Sequence, residues 1–539
     1  MIINKNYIID IIEDIKKLIK KKKNISKENI QNIKRIYCKK YNIINIPSDN
    51  QIYNYCIENN IKDNTILKYF ITKPTKTISG IATIAIMTSP CPCPHGKCLP
   101  CPGGPKSKYK SPQSYLGKEP ATMRAIQNHY NPYFQVYTRL KQLYMNGHDI
   151  SKCELVIMGG TFSSRSLNYK EWFIKRAIEA MNNFNIDIPK EKKQTSLLKL
   201  KDVITCNEKS KIRNIHTTFE TRPDCITLSQ IKEFLKFGAT KIEIGVQSVF
   251  NQILLFIKRG HDILSVIKAN KLLRDYGFNV GFHMMLGLHN GDLNEEINEY
   301  KILYNNSNFK PDYLKIYPTL VLEDTELYEL WKNKLYSPIT NEEGIEILSK
   351  IKLILPKWTK LQRIQRDIPS YQIIDGIKKS NIRELVKNKL LLNNKKCVCI
   401  RCREIGRNLL YQNYFFNESL LGINVIKYIA CEGEEYFIEI VDKKLDLLIG
   451  YCRLRFPSEK NVFLKNDVAI IREIRVYYTK INSFSNKDSI YKILIEKAET
   501  LSYNNGYKII AIVCGIGARI YYKKYNYNYN GLYMIKILK

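Results

Sequence analysis

Three cysteines set the chemistry to consider first. Cys93-Pro-His-Gly-Lys-Cys98-Leu-Pro-Cys101-Pro-Gly-Gly is a C-x4-C-x2-C pattern, and three thiolates on one tight loop suit a metal. A structural zinc ion would want a fourth protein ligand, which Cys91 or His95 offers. A [4Fe–4S] cluster instead takes three cysteines and leaves one iron open for S-adenosylmethionine. The cysteine spacing alone leaves both open. A second trio, Cys397-Val-Cys399-Ile-Arg-Cys402, has no visible fourth ligand nearby and reads as packed thiols rather than a metal site. Arg401 and Arg403, between and after these thiols, are candidate RNA contacts.

The elements around the first trio decide between the metals. Residues 76–118 are rich in Cys, Pro, Gly and Ser and read as a strand followed by a long functional loop. From about 150 to 320, short apolar runs alternate with amphipathic stretches. The runs are 155–158, 214–220, 241–246, 280–285 and 313–317, with helix-like spacing at 228–237 and 263–276. Strands alternating with helices imply a parallel sheet, open or closed as a barrel, with its chemistry at the C-terminal strand ends. A zinc knuckle needs no such sheet behind it, so the alternation favours the cluster. Gly159-Gly160-Thr161 closes one strand and lets backbone approach a cofactor. Residues 320–410 read as mostly helical and linking. From about 411, strands at 435–441, 446–451 and 469–476, a helix near 489–503 and a strand at 508–513 read as a second, α+β domain.

The 539 residues exceed one ordinary domain, and 44% apolar residues suffice for real cores, which excludes global disorder. Lys plus Arg number 86 against 51 Asp plus Glu, a net charge of +35, which points to an anionic partner, nucleic acid before membrane surface. Residues 1–75 read as helical, with 15 Lys/Arg against 7 Asp/Glu, a net +8 that includes the run Lys20 to Lys23. No apolar run reaches the ~18 residues of a membrane span, and the start lacks the parts of a secretory signal. The expectation is a cytoplasmic or nuclear protein without disulfides.

One family resemblance brings these parts together. CPHGKCLPCPGGP (93–105), QSYLGKEPATMRAI (113–126), MGGTF (158–162), ETRPD (220–224), KIEIGVQS (241–248), KRGH (258–261), LKIYPTLV (314–321), QRDIP (365–369), REIRVYY (472–478) and ARIYY (518–522) run in order through residues 75–539. The chain resembles the catalytic-subunit family of Elongator, a radical-SAM protein fused to a GNAT-type acetyltransferase. The resemblance implies a radical-SAM partial (β/α) barrel over 76–330, a linker over 331–410 and a GNAT-like α+β domain over 411–539. These follow a basic helical tRNA-binding segment over 1–75.

The resemblance also implies roles. Cys93, Cys98 and Cys101 hold the [4Fe–4S] cluster. Gly159, Gly160, Thr161 and Gln247 serve S-adenosylmethionine, with Gln247 and Arg222 able to orient substrate. Lys152, Glu473, Ile474, Arg475, Val476, Ile490, Tyr491, Lys492 and Tyr522 serve acetyl-CoA, and Lys315 and Tyr317, on one face of a strand, are the catalytic pair. The implied reaction is carboxymethylation of the tRNA wobble uridine at C5. An adenosyl radical takes hydrogen from the acetyl-CoA methyl, the carbon radical adds to C5, and thioester hydrolysis follows. Expected partners are the tRNA anticodon stem-loop, which a protein can unstack and read, and other Elongator subunits; a homodimer is compatible with the reading, and no membrane is expected.

One departure matters. GNAT domains hold the CoA pyrophosphate on a glycine-rich turn at a helix N-terminus. Here the stretch is Asn486-Lys487-Asp488-Ser489-Ile490-Tyr491-Lys492, with Ser489 and Tyr491 where glycines are expected. Weakened acetyl-CoA affinity is the expectation. Two rival functions are a protein (histone) lysine acetyltransferase and a non-catalytic tRNA-binding scaffold. A third, a radical methylthiolase, requires a second cluster.

Overall fold

The computed structural model describes residues 6–21, 25–61, 63–186, 197–406, 418–464, 467–477 and 487–539. The expectations placed on Lys22, Lys23, Asn486 and the side chain of Ser489 lie outside the described residues.

The chain opens with helices Asn6–Lys21, Lys27–Lys40 and Asp49–Glu58. The first buries Tyr7, Ile8, Ile11, Ile12 and Ile15, a one-sided stripe at helical spacing. Ser26 and Ser48 start the next two helices with reciprocal capping boxes. These helices close on Ile52, Cys56 and Phe70, a small core of their own.

Seven strands then form a parallel sheet in sequential order: β1 (Ala82–Met87), β2 (Lys152–Met158), β3 (Arg213–Thr221), β4 (Lys241–Gln247), β5 (Asn279–Leu286), β6 (Tyr313–Pro318) and β7 (Lys360–Arg363). Every neighbouring pair is parallel. Strands spaced ~4.8 Å would put β3 and β6 about 14 Å apart in a flat sheet. Lys315 Nζ on β6 nevertheless lies 2.9 Å from Glu220 Oε1 on β3, so the sheet curls into a partial barrel and these side chains meet in its bore. β7 lies within the stretch expected to link. Its four residues are too few for a period to show, yet Leu361 is fully buried in the sheet.

The second sheet is mixed. β8 (Leu421–Ala430), β9 (Gly433–Asp442), β10 (Leu447–Phe456) and β11 (Val468–Val476) pair antiparallel in sequence, and β12 (Ile509–Ile512) pairs parallel to β11. β13 (Asn528–Tyr529) and β14 (Met534–Ile537) complete the order β13-β14-β12-β11-β10-β9-β8. Helix Lys487–Asn504 covers one face. The other face rests on the partial barrel. Val468 and Ile470 on β11 and Ala511 and Val513 at β12 enter the barrel's core, whereas Ala469, Ile471, Ile510 and Ile512 enter the second core. A strand buried on both faces needs apolar residues at every position, which explains the unbroken runs at 468–471 and 510–513.

A buried charge cluster adds to this junction. Asp312, between the strands of the barrel, receives Arg472 through Nη1 and Nη2 at 2.6 and 2.8 Å, and Arg453 at 3.3 Å. Arg274 of the barrel reaches Glu435 at 2.9 Å, and Arg455 reaches Asp275 at 2.6 Å. Arg274, Arg453, Arg455 and Arg472 thus meet Asp275, Asp312, Glu435 and Glu473, with Arg475 sharing Glu473 at 3.2 Å, so every charge of the cluster has an opposite partner.

Candidate functional site

The three-cysteine loop follows β1 and lies over the C-terminal ends of the parallel strands. N–H groups converge on its sulfurs. Ser114 N donates to Cys101 Sγ at 3.3 Å, and the Arg259 guanidinium approaches Cys98 Sγ at 3.6 Å. His95 Nε2 lies 3.0 Å from Cys98 Sγ. Arg222 Nη1 donates to His95 Nδ1 at 2.6 Å, so Nδ1 accepts and Nε2 carries the proton toward sulfur. Three sulfurs gathered on one loop, two of them accepting N–H donors, form a donor set that fits a cysteine-ligated cluster.

The glycines beside the loop are needed there. Gly159 and Gly160 have φ of +114° and +82°, and a Cβ on Gly159 would stand 2.5 Å from Thr88 Oγ1. Thr161 Oγ1 lies 3.7 Å from Cys93 Sγ. Gln247 ends β4 with φ +74°. The structure therefore brings Gly159, Gly160, Thr161 and Cys93 together, with Gln247 on the same rim.

Arg222 differs from its expectation. It is 2% exposed and spends its donors on Asp224 (2.9 and 2.8 Å), the carbonyls of Arg259 and Gly260, and His95. It ties ETRPD and KRGH to the cysteine loop and presents nothing to a substrate. Arg403 also turns inward, to Glu439 at 2.7 Å and Asp446 at 2.9 Å, so it is not an RNA contact.

A cavity of about 160 Å³ lies at the opposite end of the barrel, where it meets the second sheet. Lys152, Arg213 and His216, near the starts of β2 and β3, form one wall; Glu473, Ile474, Arg475, Val476, Tyr491, Cys514, Gly517 and Tyr522 form others. The β11–β12 ladder stops at Ile471 and Ile512, so on that side the backbone beyond it has no strand partner and borders the cavity. Seven of the nine residues expected at acetyl-CoA thus share one cavity. Ile490 is instead buried in the second core, and Lys492 is exposed and paired to Glu496. Tyr491 occupies the cavity wall and hydrogen-bonds the Val476 backbone; burial raises its phenol to about 12.

Lys315 and Tyr317 lie in neither place but on β6 in the bore. Burial opposes the Lys315 charge, yet Glu220 and Glu243 overcome it and hold the ammonium well above the ordinary lysine value. Lys315 is therefore a fixed cation, not a base. It belongs to a continuous polar chain. Glu473 accepts from Tyr313 OH at 2.6 Å; Lys241 Nζ stands 4.7 Å over the Tyr313 ring and 3.1 Å from Glu243. Glu243 pairs with Lys315, Lys315 with Glu220, and Tyr115 OH donates to Glu220 at 3.4 Å, one residue from Ser114. β2 alone separates cavity from loop by about 20 Å, and this chain of polar groups spans that gap. Sequence reading missed Lys241 and Glu243. Their signal was present: charges at alternate positions of an otherwise apolar strand.

The second cysteine trio also comes together in the fold. Cys397, Cys399 and Cys402 offer three sulfurs within 4.8 Å of one another, an arrangement suited to one thiophilic ion such as zinc. The sequence hid this because two of the thiols are buried beside the sheet, not on a visible knuckle.

Residues 93–300 match the Radical SAM superfamily and residues 311–391 the Radical_SAM C-terminal domain. A tRNA uridine(34) acetyltransferase of Methanocaldococcus jannaschii is 40% identical over 98% of this chain and 97% of its own length. The human Elongator complex protein 3 is 35% identical over 87% of this chain and 86% of its own. The solved structure of Methanocaldococcus infernus Elp3 with an N-terminal deletion superposes with a TM-score of 0.74, at 36% identity, covering 86% of this chain and all of that one.

Proposed function

The chain belongs to the Elongator complex protein 3 family, and on that premise we propose that it modifies the wobble uridine of tRNA, building a carboxymethyl group at C5 from acetyl-CoA. The observation that carries the reading is the pairing of two sites in one chain, a hydrogen-bonded three-thiol loop and an acyl-sized cavity, joined by a polar bore.

Cys93, Cys98 and Cys101 would hold a [4Fe–4S] cluster, with Gly159, Gly160, Thr161 and Gln247 around S-adenosylmethionine. When bound, that pair supplies the hydrogen-abstracting radical. The chain's own residues do the rest. Arg222 fixes the His95 tautomer and the loop. The free backbone edge of β11 takes an extended pantetheine arm by main-chain hydrogen bonds. Lys152 and Arg475 place positive charge at the cavity, and Tyr522 stays a neutral donor because burial raises its phenol well above the usual value. Lys315 pairs with Glu220 and Glu243 beside Tyr317 and fixes the polar groups of the bore that joins the two sites. The helices of residues 6–58 and the basic surface receive the anticodon stem-loop, with or without other Elongator subunits.

Nucleoside mass spectrometry of tRNA incubated with anaerobically reconstituted protein, S-adenosylmethionine, reductant and acetyl-CoA tests this. Carboxymethyluridine is expected, and it disappears on Cys98→Ala. No product with an intact cluster and retained tRNA binding would favour the scaffold reading. Acetylated histone peptide in place of modified tRNA would favour the lysine acetyltransferase.

A further inference from the structure

Behind the strand ends that carry Gln247 lies a second cluster outside this machinery. His289 follows β5, and Glu296 and Glu299 lie three residues apart on the helix Leu293–Asn305, hence on one face. One donor atom from each lies within 4.8 Å of the others. Both carboxylates are buried, Glu296 at 1% and Glu299 at 0% exposure. Neither is paired with a lysine or arginine among the described residues; the imidazole of His289 is their nearest cation source.

The carboxylates are held by their outer oxygens. Glu299 Oε1 accepts from Ser248 Oγ and from Val249 N at 2.7 Å. Glu296 Oε1 accepts from Gly287 N at 2.8 Å and His289 N at 3.0 Å. Glu299 Oε2 then faces His289 Nε2 at 3.3 Å, and Glu296 Oε2 is buried with no partner at all. A buried carboxylate oxygen without a donor is costly. A charge-assisted imidazole–carboxylate bond would close to about 2.7–2.9 Å. Two ligands each about 2.1 Å from one ion stand about 3.0 Å apart at octahedral and about 3.4 Å apart at tetrahedral angles. Outer oxygens anchored and inner atoms left facing one point is how carboxylate metal ligands are oriented.

We propose that His289, Glu296 and Glu299 bind one divalent transition-metal ion, which ties the loop after β5 to the residues that follow β4. Two carboxylates and the ion leave no net buried charge. The set is nitrogen and oxygen only, which separates it in chemistry from both cysteine trios.

Manganese is the probe, because it favours carboxylate and imidazole over thiolate. The full-length protein, stripped with chelator and desalted, is titrated with Mn2+ while electron paramagnetic resonance follows the free ion. One equivalent is expected to bind, with affinity reduced at least tenfold in Glu296→Gln and in His289→Phe. Glu296→Gln keeps the anchored oxygen and replaces only the partnerless one, so it retains the fold, which circular dichroism checks. Absence of a bound equivalent in the unaltered protein overturns the site. So does unchanged affinity in Glu296→Gln, the result expected if Glu296 is simply a protonated acid.

Discussion

Gly517→Ala separates the acyl cavity from the radical site. Gly517 lies in the short turn Ile516–Ala518 that presses on β3, and it lines the cavity opposite Arg213. An alanine Cβ there would stand 2.5 Å from Arg213 Cβ and 3.2 Å from Arg213 Cα and C. Carbon pairs settle at about 3.5–4.0 Å, so the turn must retreat by about 1 Å. These are backbone-anchored atoms, so no rotamer change relieves the clash. Overpacking of this kind costs about 1–3 kcal/mol, and a shift of about 1 Å in a reacting group costs on the order of 10²-fold in rate. The clash is at the cavity end of β3, while the cysteine loop is at the other. Formation of 5′-deoxyadenosine should therefore persist near the unaltered level while carboxymethyluridine falls about 100-fold. Both are read from one anaerobic reaction by mass spectrometry. Parallel loss of both products would refute the separation of the sites, and unaltered carboxymethylation would refute the cavity's role.

Other perturbations have equally definite outcomes. Lys315→Met removes the cation between Glu220 and Glu243 and should lower kcat by about 10²-fold or more, with S-adenosylmethionine affinity unchanged by calorimetry. Tyr491→Gly restores a glycine beside the Val476 backbone and should tighten acetyl-CoA roughly tenfold, about 1.4 kcal/mol; unchanged or weaker binding would count against Tyr491 as the obstruction. Burial, then Arg475, lowers His216 to about 4 from an ordinary value near 6.5. The unfolded chain therefore binds this proton first, and stability is lost as pH falls from about 6.5 to 4, by up to about 3 kcal/mol. Thermal unfolding across that window should show the loss, and His216→Asn should flatten it. Arg222→Lys cannot satisfy Asp224, two carbonyls and His95 together, so iron and sulfide content after reconstitution should drop.

Sequence carried the three-cysteine loop and the strand-end glycines because each needs a residue type that little else can replace. Cys93, Cys98 and Cys101 are spaced for one loop, and Gly159 tolerates no Cβ. The two-domain order was equally visible, since alternation of strands and helices gives way to consecutive strands. The cavity was visible only through family resemblance: its walls come from residues 79–81, 152, 213–216, 472–476, 491 and 513–522, and no local pattern joins them. Ile490 and Lys492 were misplaced because a single-residue step along the helix turns each side chain about 100° from Tyr491, one into the core and one into water. Arg222 read as a substrate ligand because an arginine at a strand end usually faces a ligand; its four partners come from three separate segments. The metal-like trio at Cys397 was discounted for want of a fourth ligand, although proximity of three sulfurs depends on a local turn that composition does not display.

The doubly buried strands β11 and β12 make a party wall between two enzymes' worth of structure. Successive residues along them are tenants of different cores, so a one-residue insertion at 468–471 would exchange every side chain between cores instead of disturbing one. Gene fission at this junction would leave either product with a bare apolar face and an unbalanced share of four arginines and four acids. Removing either half would therefore expose apolar strand faces and unpaired charges on the half that remains. Limited proteolysis should reflect that packing: cuts before residue 80 release a helical fragment, whereas a nick at the exposed residues 393–396 leaves both pieces associated.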